Sequence, residues 1–209
     1  VTAQAVLSEY ESRVSRTIDE GVQKRRARIE QHVRNRPFPF TTACCTDCAA
    51  VGKDLLVGMR YPEIYGVFIR GTTNAVNVLS ALEYSNDRRA DRLAALLSSI
   101  DADSFDALDA AWRAVPRWGS DDPRADRLGR ALCEARDRAV RAVAAKHGLP
   151  PFTVCHVVRS LHHVDGLRIG STLDGRRAGE PVADSVGPAA GAGRSAPTAA
   201  LNSVLKLDA

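Results

Sequence analysis

The chain holds 209 residues, 44% of them hydrophobic and 26% charged, with a formal net charge of +4 and a pI near 9.0, an ordinary globular balance with length enough for the core of one large or two small domains. No apolar run approaches the roughly 20 residues that cross a bilayer, and no n-region and h-region pattern opens the chain, so a membrane is not an expected partner. Nor does the positive charge point to nucleic acid, because Arg and Lys alternate with Asp and Glu along residues 87–141 as on a solvated helix face, and the one locally basic stretch, residues 23–36, lacks interleaved aromatics.

Apolar residues at Leu7, Tyr10, Val14, Ile18, Val22, Ile29 and Val33 keep a helical spacing, which predicts one long amphipathic helix over residues 3–34. Arg36-Pro37 ends it, since the residue before a proline is pushed out of the helical region. A second helix is expected over residues 41–51, closed by Gly52, and a short strand over 65–69. Thr72 or Thr73 can cap a helix that presents Val76, Leu79 and Leu82. Residues 88–99 and 104–114 each show a helical apolar stripe. Asp121-Asp122-Pro123 places acid and proline at a further helix start; that helix presents Leu128, Leu132, Ala135, Ala139 and Val143 and stops at His147-Gly148. From residue 149 onward Pro, Gly and β-branched residues take over, and strand and loop are expected to the end of the chain.

Cys44, Cys45 and Cys48 form a C-C-x-x-C cluster that a helix would bring onto adjacent turns, as for a metal or a redox pair. A structural metal site usually takes four ligands, and Cys133 and Cys155 are distant in sequence. The reading adopted is three small buried cysteines packing a helix, with no metal. Five cysteines without an evident pairing scheme fit a reducing compartment.

The last third is the most informative part. Seven glycines lie between Gly166 and Gly193, interleaved with Pro181 and Pro188, so the backbone must turn tightly and often. Asp174-Gly175 is a turn signal. Arg176, Arg177 and Glu180 either recognise a carboxylate or phosphate through paired hydrogen bonds, or hold the loop to its frame by satisfying its carbonyls. His162 and His163 are either exposed loop residues or an acid/base pair.

Four segments, in order, carry a family resemblance: PFPFTTACCTDCAAVGKDLLVGMRY (residues 37–61), YGVFIRGTTNAVNVLSAL (65–82), AVPRWGSDDPRAD (114–126), and STLDGRRAGEPVADSVGP with SAPTAALNSVLKLD (171–188 and 195–208). They resemble, in the same order, the PFLS-x-L-x-D-x-C-I-x-x-GKD, GVxGVGxANVADSLAAI, APKYGNDDxxAD and TPDGRKAGEPLADGVSP…GPTAxLxSVxKLD runs of the glycyl radical enzymes, the pyruvate formate-lyase and glycerol/diol dehydratase superfamily. The resemblance spans nearly the whole chain but only part of a family member. The family's thiyl cysteine loop and its RVSGY-like radical glycine motif are not in this sequence, so the chain is expected to be an internal fragment.

What the resemblance implies is an α/β (α+β) fold, a helical shell over residues 1–148 followed by strands and loops of a central barrel over 149–209, both within one domain. A few barrel strands alone would leave unpaired edges, so low stability in isolation is expected. The implied activity is radical cleavage of a C–C, C–O or C–N bond in a small substrate, with no catalytic residue and no cofactor of its own in this segment. In the full-length enzyme a backbone glycyl radical is installed by a radical S-adenosylmethionine activase, and the implied state is a cytoplasmic homodimer. Candidates for the barrel or substrate pocket are His156, Asp174, Arg176, Arg177 and Glu180. His156 falls where the family has a histidine in SxxAHVPFG, and either lines the chamber or is a satisfied core residue; the family's PFG is replaced by RSLHHVDG, so the substrate stays open. Because family members with differently charged substrates share the DGRRAGEP-like motif, the resemblance favours a structural role for its arginines. The alternative class is a non-catalytic helical scaffold derived from that domain.

Overall fold

In the computed structural model, residues 2–59, 66–86, 94, 97, 98, 100, 114–156, 161–190 and 197–207 are described. Helix α1 spans Ala3–Asn35, one residue beyond its expected end, with His32 and Arg34 in the last turn where positive charge suits the helix dipole. Three short helices follow, α2 Pro39–Ala43, α3 Thr46–Val51 and α4 Leu55–Gly58. Strand β1 is Gly66–Ile69 and helix α5 is Thr72–Asn86. Helix α6 is Pro123–Lys146, strand β2 Thr153–His156, helix α7 His162–Arg168 and helix α8 Pro197–Leu205. β1 and β2 pair in a two-stranded parallel sheet, which makes the described residues mostly helical.

Several expectations need correction. The single helix over 41–51 is two, because Cys45 is extended (φ −97°, ψ 112°) and interrupts the backbone ladder. The segment instead folds back on Asp54, whose carboxylate accepts the N–H of Phe38 at 2.7 Å and caps α4 through Leu56 N–H at 3.0 Å. Gly52 does close α3, at φ 64° in the left-handed region. Of the cysteines in the cluster only Cys48 is fully buried; Cys44 is exposed and Cys45 half-buried, so the three do not pack one helix face. After residue 149 the chain is not strand and loop throughout. The run at 200–207 is largely the helix α8, and His162-His163 open α7 with their rings 4.1 Å apart. The helices expected at 88–99 and 104–114 lie almost wholly outside the described residues.

The chain divides into two compact units that alternate along it. Unit 1 comprises residues 1–10, 68–137 and 154–209. Its core joins Ala3 and Leu7 of α1, Val76 and Leu79 of α5, Trp118, and Leu128 and Leu132 of α6. Helix α5 is buried nearly all round, as expected of a central helix. Unit 2 comprises residues 11–67 and 138–153, where Val22, Cys48, Ala139, Val140, Val143 and Phe152 are buried. Two ion pairs fasten the α1 part of unit 2 to its α6 part, Arg138 to Glu11 at 2.8 Å and Lys146 to Asp19 at 2.9 Å. His147 adds Nε2 to Asp19 Oδ1 at 2.6 Å. Gly148, at φ 62°, ends α6 as expected.

Candidate functional site

The site grows from the first turns of α5. Thr72, Thr73, Asn74 and Asn77 are all buried, with relative exposures between 0% and 7%. A buried polar side chain must find a partner or lose the hydrogen bonds that water gave it, and most of these find theirs in distant loops. The Thr73 hydroxyl donates to the Gly187 carbonyl at 2.7 Å, and so does not serve as a helix cap. Asn74 accepts the N–H of Ala183 and donates to Asp174 Oδ2, both at 2.7 Å. Asn77 accepts the Trp118 N–H at 2.9 Å, while the Trp118 indole donates to the Val186 carbonyl at 2.8 Å. A second junction ties α8 to the start of α6, where Lys206 Nζ donates to Asp126 at 2.7 Å and also to Asp121, which Asn202 reaches at 2.8 Å. Hydrogen bonds from Lys206 and Asn202 hold the Asp121 carboxyl below its ordinary range.

Three of the four quoted segments, those around α5, Trp118 and the glycine-rich loop with α8, thus form one hydrogen-bonded frame in unit 1. The sequence reading missed Asn74 and Asn77. Two amides one turn apart on an otherwise apolar helix face were the available signal.

The frame sorts the five candidate residues. Asp174 is 4% exposed, and its carboxylate accepts Asn74 and the Thr172 hydroxyl, the latter at 2.5 Å. Arg176 is 7% exposed and donates to four carbonyls: Arg177 at 3.0 Å, Glu180 at 2.7 Å, Ile169 at 3.1 Å, and Gly170. Its Nε is buried with no hydrogen-bond partner among the described residues. Arg177 and Glu180 are exposed, and Glu180 caps the turn by accepting the Arg177 N–H at 2.9 Å. His156, at the end of β2, lies apart from this loop. Arg136 has only donors, so the 3.0 Å contact from its guanidinium makes His156 Nε2 the acceptor and leaves Nδ1 to carry the proton toward Thr72 Oγ1 at 3.4 Å.

Between α5, α1 and the glycine-rich loop lies a cavity of about 280 Å³. Its walls include Leu7, Val78, Leu79 and Leu132, with Tyr10, Arg70 and Arg176 as polar features. Burial pushes the Tyr10 phenol up, and the Arg136 guanidinium opposes that shift. No group of three or more His, Cys, Asp or Glu side chains that could hold a metal is gathered among the described residues, and no helix among them is long and apolar enough to cross a membrane.

Comparison with known proteins places these features. Residues 2–158 match the family described as Pyruvate formate lyase-like. The chain is 28% identical over 183 residues to trans-4-hydroxy-L-proline dehydratase of Clostridioides difficile, covering 84% of this chain and 23% of that protein. It is 29% identical over 142 residues to the PFL-like enzyme TdcE of Escherichia coli (strain K12), covering 66% of this chain and 17% of that one. The crystal structure of hydroxyproline dehydratase from Clostridioides difficile, with trans-4-hydroxy-L-proline bound, superposes with a TM-score of 0.81 at 22% identity over 99% of this chain and 27% of that one. The chain therefore spans about a quarter or less of the relatives it matches.

Proposed function

Since the chain belongs to the pyruvate formate lyase-like family and is homologous to glycyl radical enzymes, we propose that it forms part of the wall of such an enzyme's reaction chamber, working on a small substrate by radical loss of water. Dehydration is preferred to C–C cleavage because the match to a dehydratase covers 84% of this chain, against 66% for the PFL-like enzyme. The observation that carries the reading is the family match across residues 2–158, to which the frame around α5 adds a physical reason. Buried side chains hold a glycine-rich loop rigidly, as a wall that must exclude water from a reactive radical requires.

The radical-bearing cysteine and glycine are supplied by polypeptide other than these residues. His156, Asp174, Arg176, Arg177 and Glu180 act as wall or loop-positioning groups. The two strands with open edges belong to a larger barrel completed by the rest of that polypeptide, and residues 1–148 and 149–209 are two stretches of one domain. Phe40, Phe68 and Leu205, all more than 70% exposed, are apolar surface that this remainder or a second subunit would cover. The expected partners are a radical S-adenosylmethionine activase and a second copy of the enzyme.

The test is anaerobic activation of the complete polypeptide containing this chain, followed by electron paramagnetic resonance and product analysis. An organic radical with water loss from a vicinal diol or a hydroxylated proline supports the proposal. No radical, or acyl transfer to coenzyme A without dehydration, overturns it. The 209-residue chain alone is expected to show no turnover.

A further inference from the structure

The three thiols around the α2–α3 turn are unequal. Cys44, the exposed one, closes α2, whereas Cys45 and Cys48 both belong to α3, as its N-cap and its third residue. At that spacing an N-cap side chain reaches the third helical residue, ordinarily to accept its N–H. Cys45 makes no such capping bond, and its thiol is in hydrogen-bonding contact with the thiol of Cys48 instead. Burial pushes the Cys48 thiol up, and the neighbouring Cys45 adds to the rise. Cys48 therefore keeps its proton and is fully buried, while half-buried Cys45 is the one of the two that solvent reaches. The backbone is already set for a bridge. Ala49 N–H donates to the Cys45 carbonyl at 2.9 Å, a regular helical turn, and across such a turn Cα atoms three residues apart stand about 5 Å from each other, within disulfide range.

We propose that Cys45 and Cys48 form a reversible oxidation site, with a small peroxide as the oxidant, Cys45 as the thiol it meets and Cys48 as the resolving partner. The Cys45 sulfur attacks one peroxide oxygen, the O–O bond breaks, and a sulfenic acid and one water result. The Cys48 sulfur then displaces the hydroxyl from Cys45, its proton leaving with that hydroxyl as a second water, and the S–S bond forms. Two thiols are thereby oxidised by two electrons in all, and one peroxide is reduced to two waters. A thiol held in contact captures the sulfenic acid before further oxidant carries it to the irreversible acids. The site lies wholly in unit 2 and stands whether or not the chain takes part in radical chemistry.

Peptide mapping of the complete polypeptide containing this chain tests it, after treatment with hydrogen peroxide, alkylation of the remaining thiols and digestion with trypsin. Residues 35–53 leave as one peptide holding all three cysteines, because Arg36 precedes a proline and Lys53 is the next cleavage point. The expected peptide has lost two hydrogens through a Cys45–Cys48 bond and is alkylated at Cys44 alone, and dithiothreitol returns it to three alkylatable thiols. Cys44→Ser should keep the cross-link and Cys45→Ser should lose it. Cys48→Ser should leave a sulfenic acid on Cys45 that dimedone traps; since Cys48 is buried and its replacement can disturb α3, the wild-type map and the two other variants carry the test if that variant fails to fold. Three free thiols after peroxide, a bridge that engages Cys44, or sulfinic acid on Cys45 in the wild type would each overturn the proposal.

Discussion

The two units use opposite means of holding their helices. Beside the Lys206 junction with Asp121 and Asp126, unit 1 relies on buried neutral side chains that reach backbone groups of remote loops: Thr73 to Gly187, Asn74 to Ala183, Trp118 to Val186. Unit 2 relies on charged side chains near the surface, Glu11 with Arg138 and Asp19 with Lys146. Bonds of the first kind leave an unpaired group in a desolvated place when one partner is removed, whereas bonds of the second kind revert to solvated ions. Rigidity is therefore concentrated where the glycine-rich loop has to be held, and unit 2 can lose a pair with little consequence.

The largest effect should come from Asn74→Ala. It strips two 2.7 Å hydrogen bonds and leaves the Ala183 N–H and one Asp174 oxygen buried without partners. At about 1–3 kcal/mol for each stranded group, with the charged one at the upper end, a loss of roughly 3 kcal/mol is expected in urea denaturation. Hydrogen exchange should rise in α5 and in residues 171–188 and not in residues 11–35. A loss under about 0.5 kcal/mol would end the distinction between the units.

That frame also marks where the sequence stopped being legible. Helices α1 and α6 could be read because long apolar stripes and left-handed glycines are local signals, and Gly52 and Gly148 stop their helices as expected. Helix α8 could not, because nine residues beginning Pro-Thr-Ala-Ala offer an apolar run that periodicity alone does not separate from a strand. Helix α7 hides behind two histidines and an interior glycine whose closeness to the loop is a tertiary fact: a Cβ on Gly166 would run into the Glu180 carbonyl. For the site, the DGRRAGEP turn was visible, but the roles within it were not. Arg176 and Arg177 are adjacent and alike in sequence, yet one is buried against four carbonyls, two of its own turn and two just past the end of α7, and the other is exposed.

A smaller effect is expected in unit 2 from Arg138→Ala, which removes the pair with Glu11, whose side chains are 56% and 33% exposed. An exposed pair of this kind contributes about 0.2–1 kcal/mol, and most of it should vanish at 1 M salt, where the screening length falls to about 3 Å. Measuring the variant's stability deficit at low and high salt sharpens the comparison, because the Asn74→Ala deficit should hardly change with salt. A salt-independent Arg138→Ala deficit would mean that unit 2, too, depends on desolvated contacts.

The smallest and most selective effect concerns Asp54, whose side chain serves backbone donors within unit 2 as the amides of α5 do within unit 1. Hydrogen bonds from the Leu56 and Phe38 N–H groups hold its carboxyl below the ordinary aspartate range, with burial opposing and His32 assisting. A carboxyl whose folded pKa is depressed contributes stability that is fully present above its unfolded value, near about 3.9, and that is lost as pH falls through the folded value. Asp54 takes the two N–H groups on separate oxygens, so Asp54→Asn keeps an acceptor for only one of them and cannot ionise. Wild type should therefore exceed the variant by a constant margin above about pH 5, and the two should converge as pH falls through the depressed folded value of Asp54. A margin that persisted at low pH would show that the geometry of the acceptor, and not its charge, holds residues 38 and 56 together, making this corner of unit 2 equivalent to the neutral frame of unit 1.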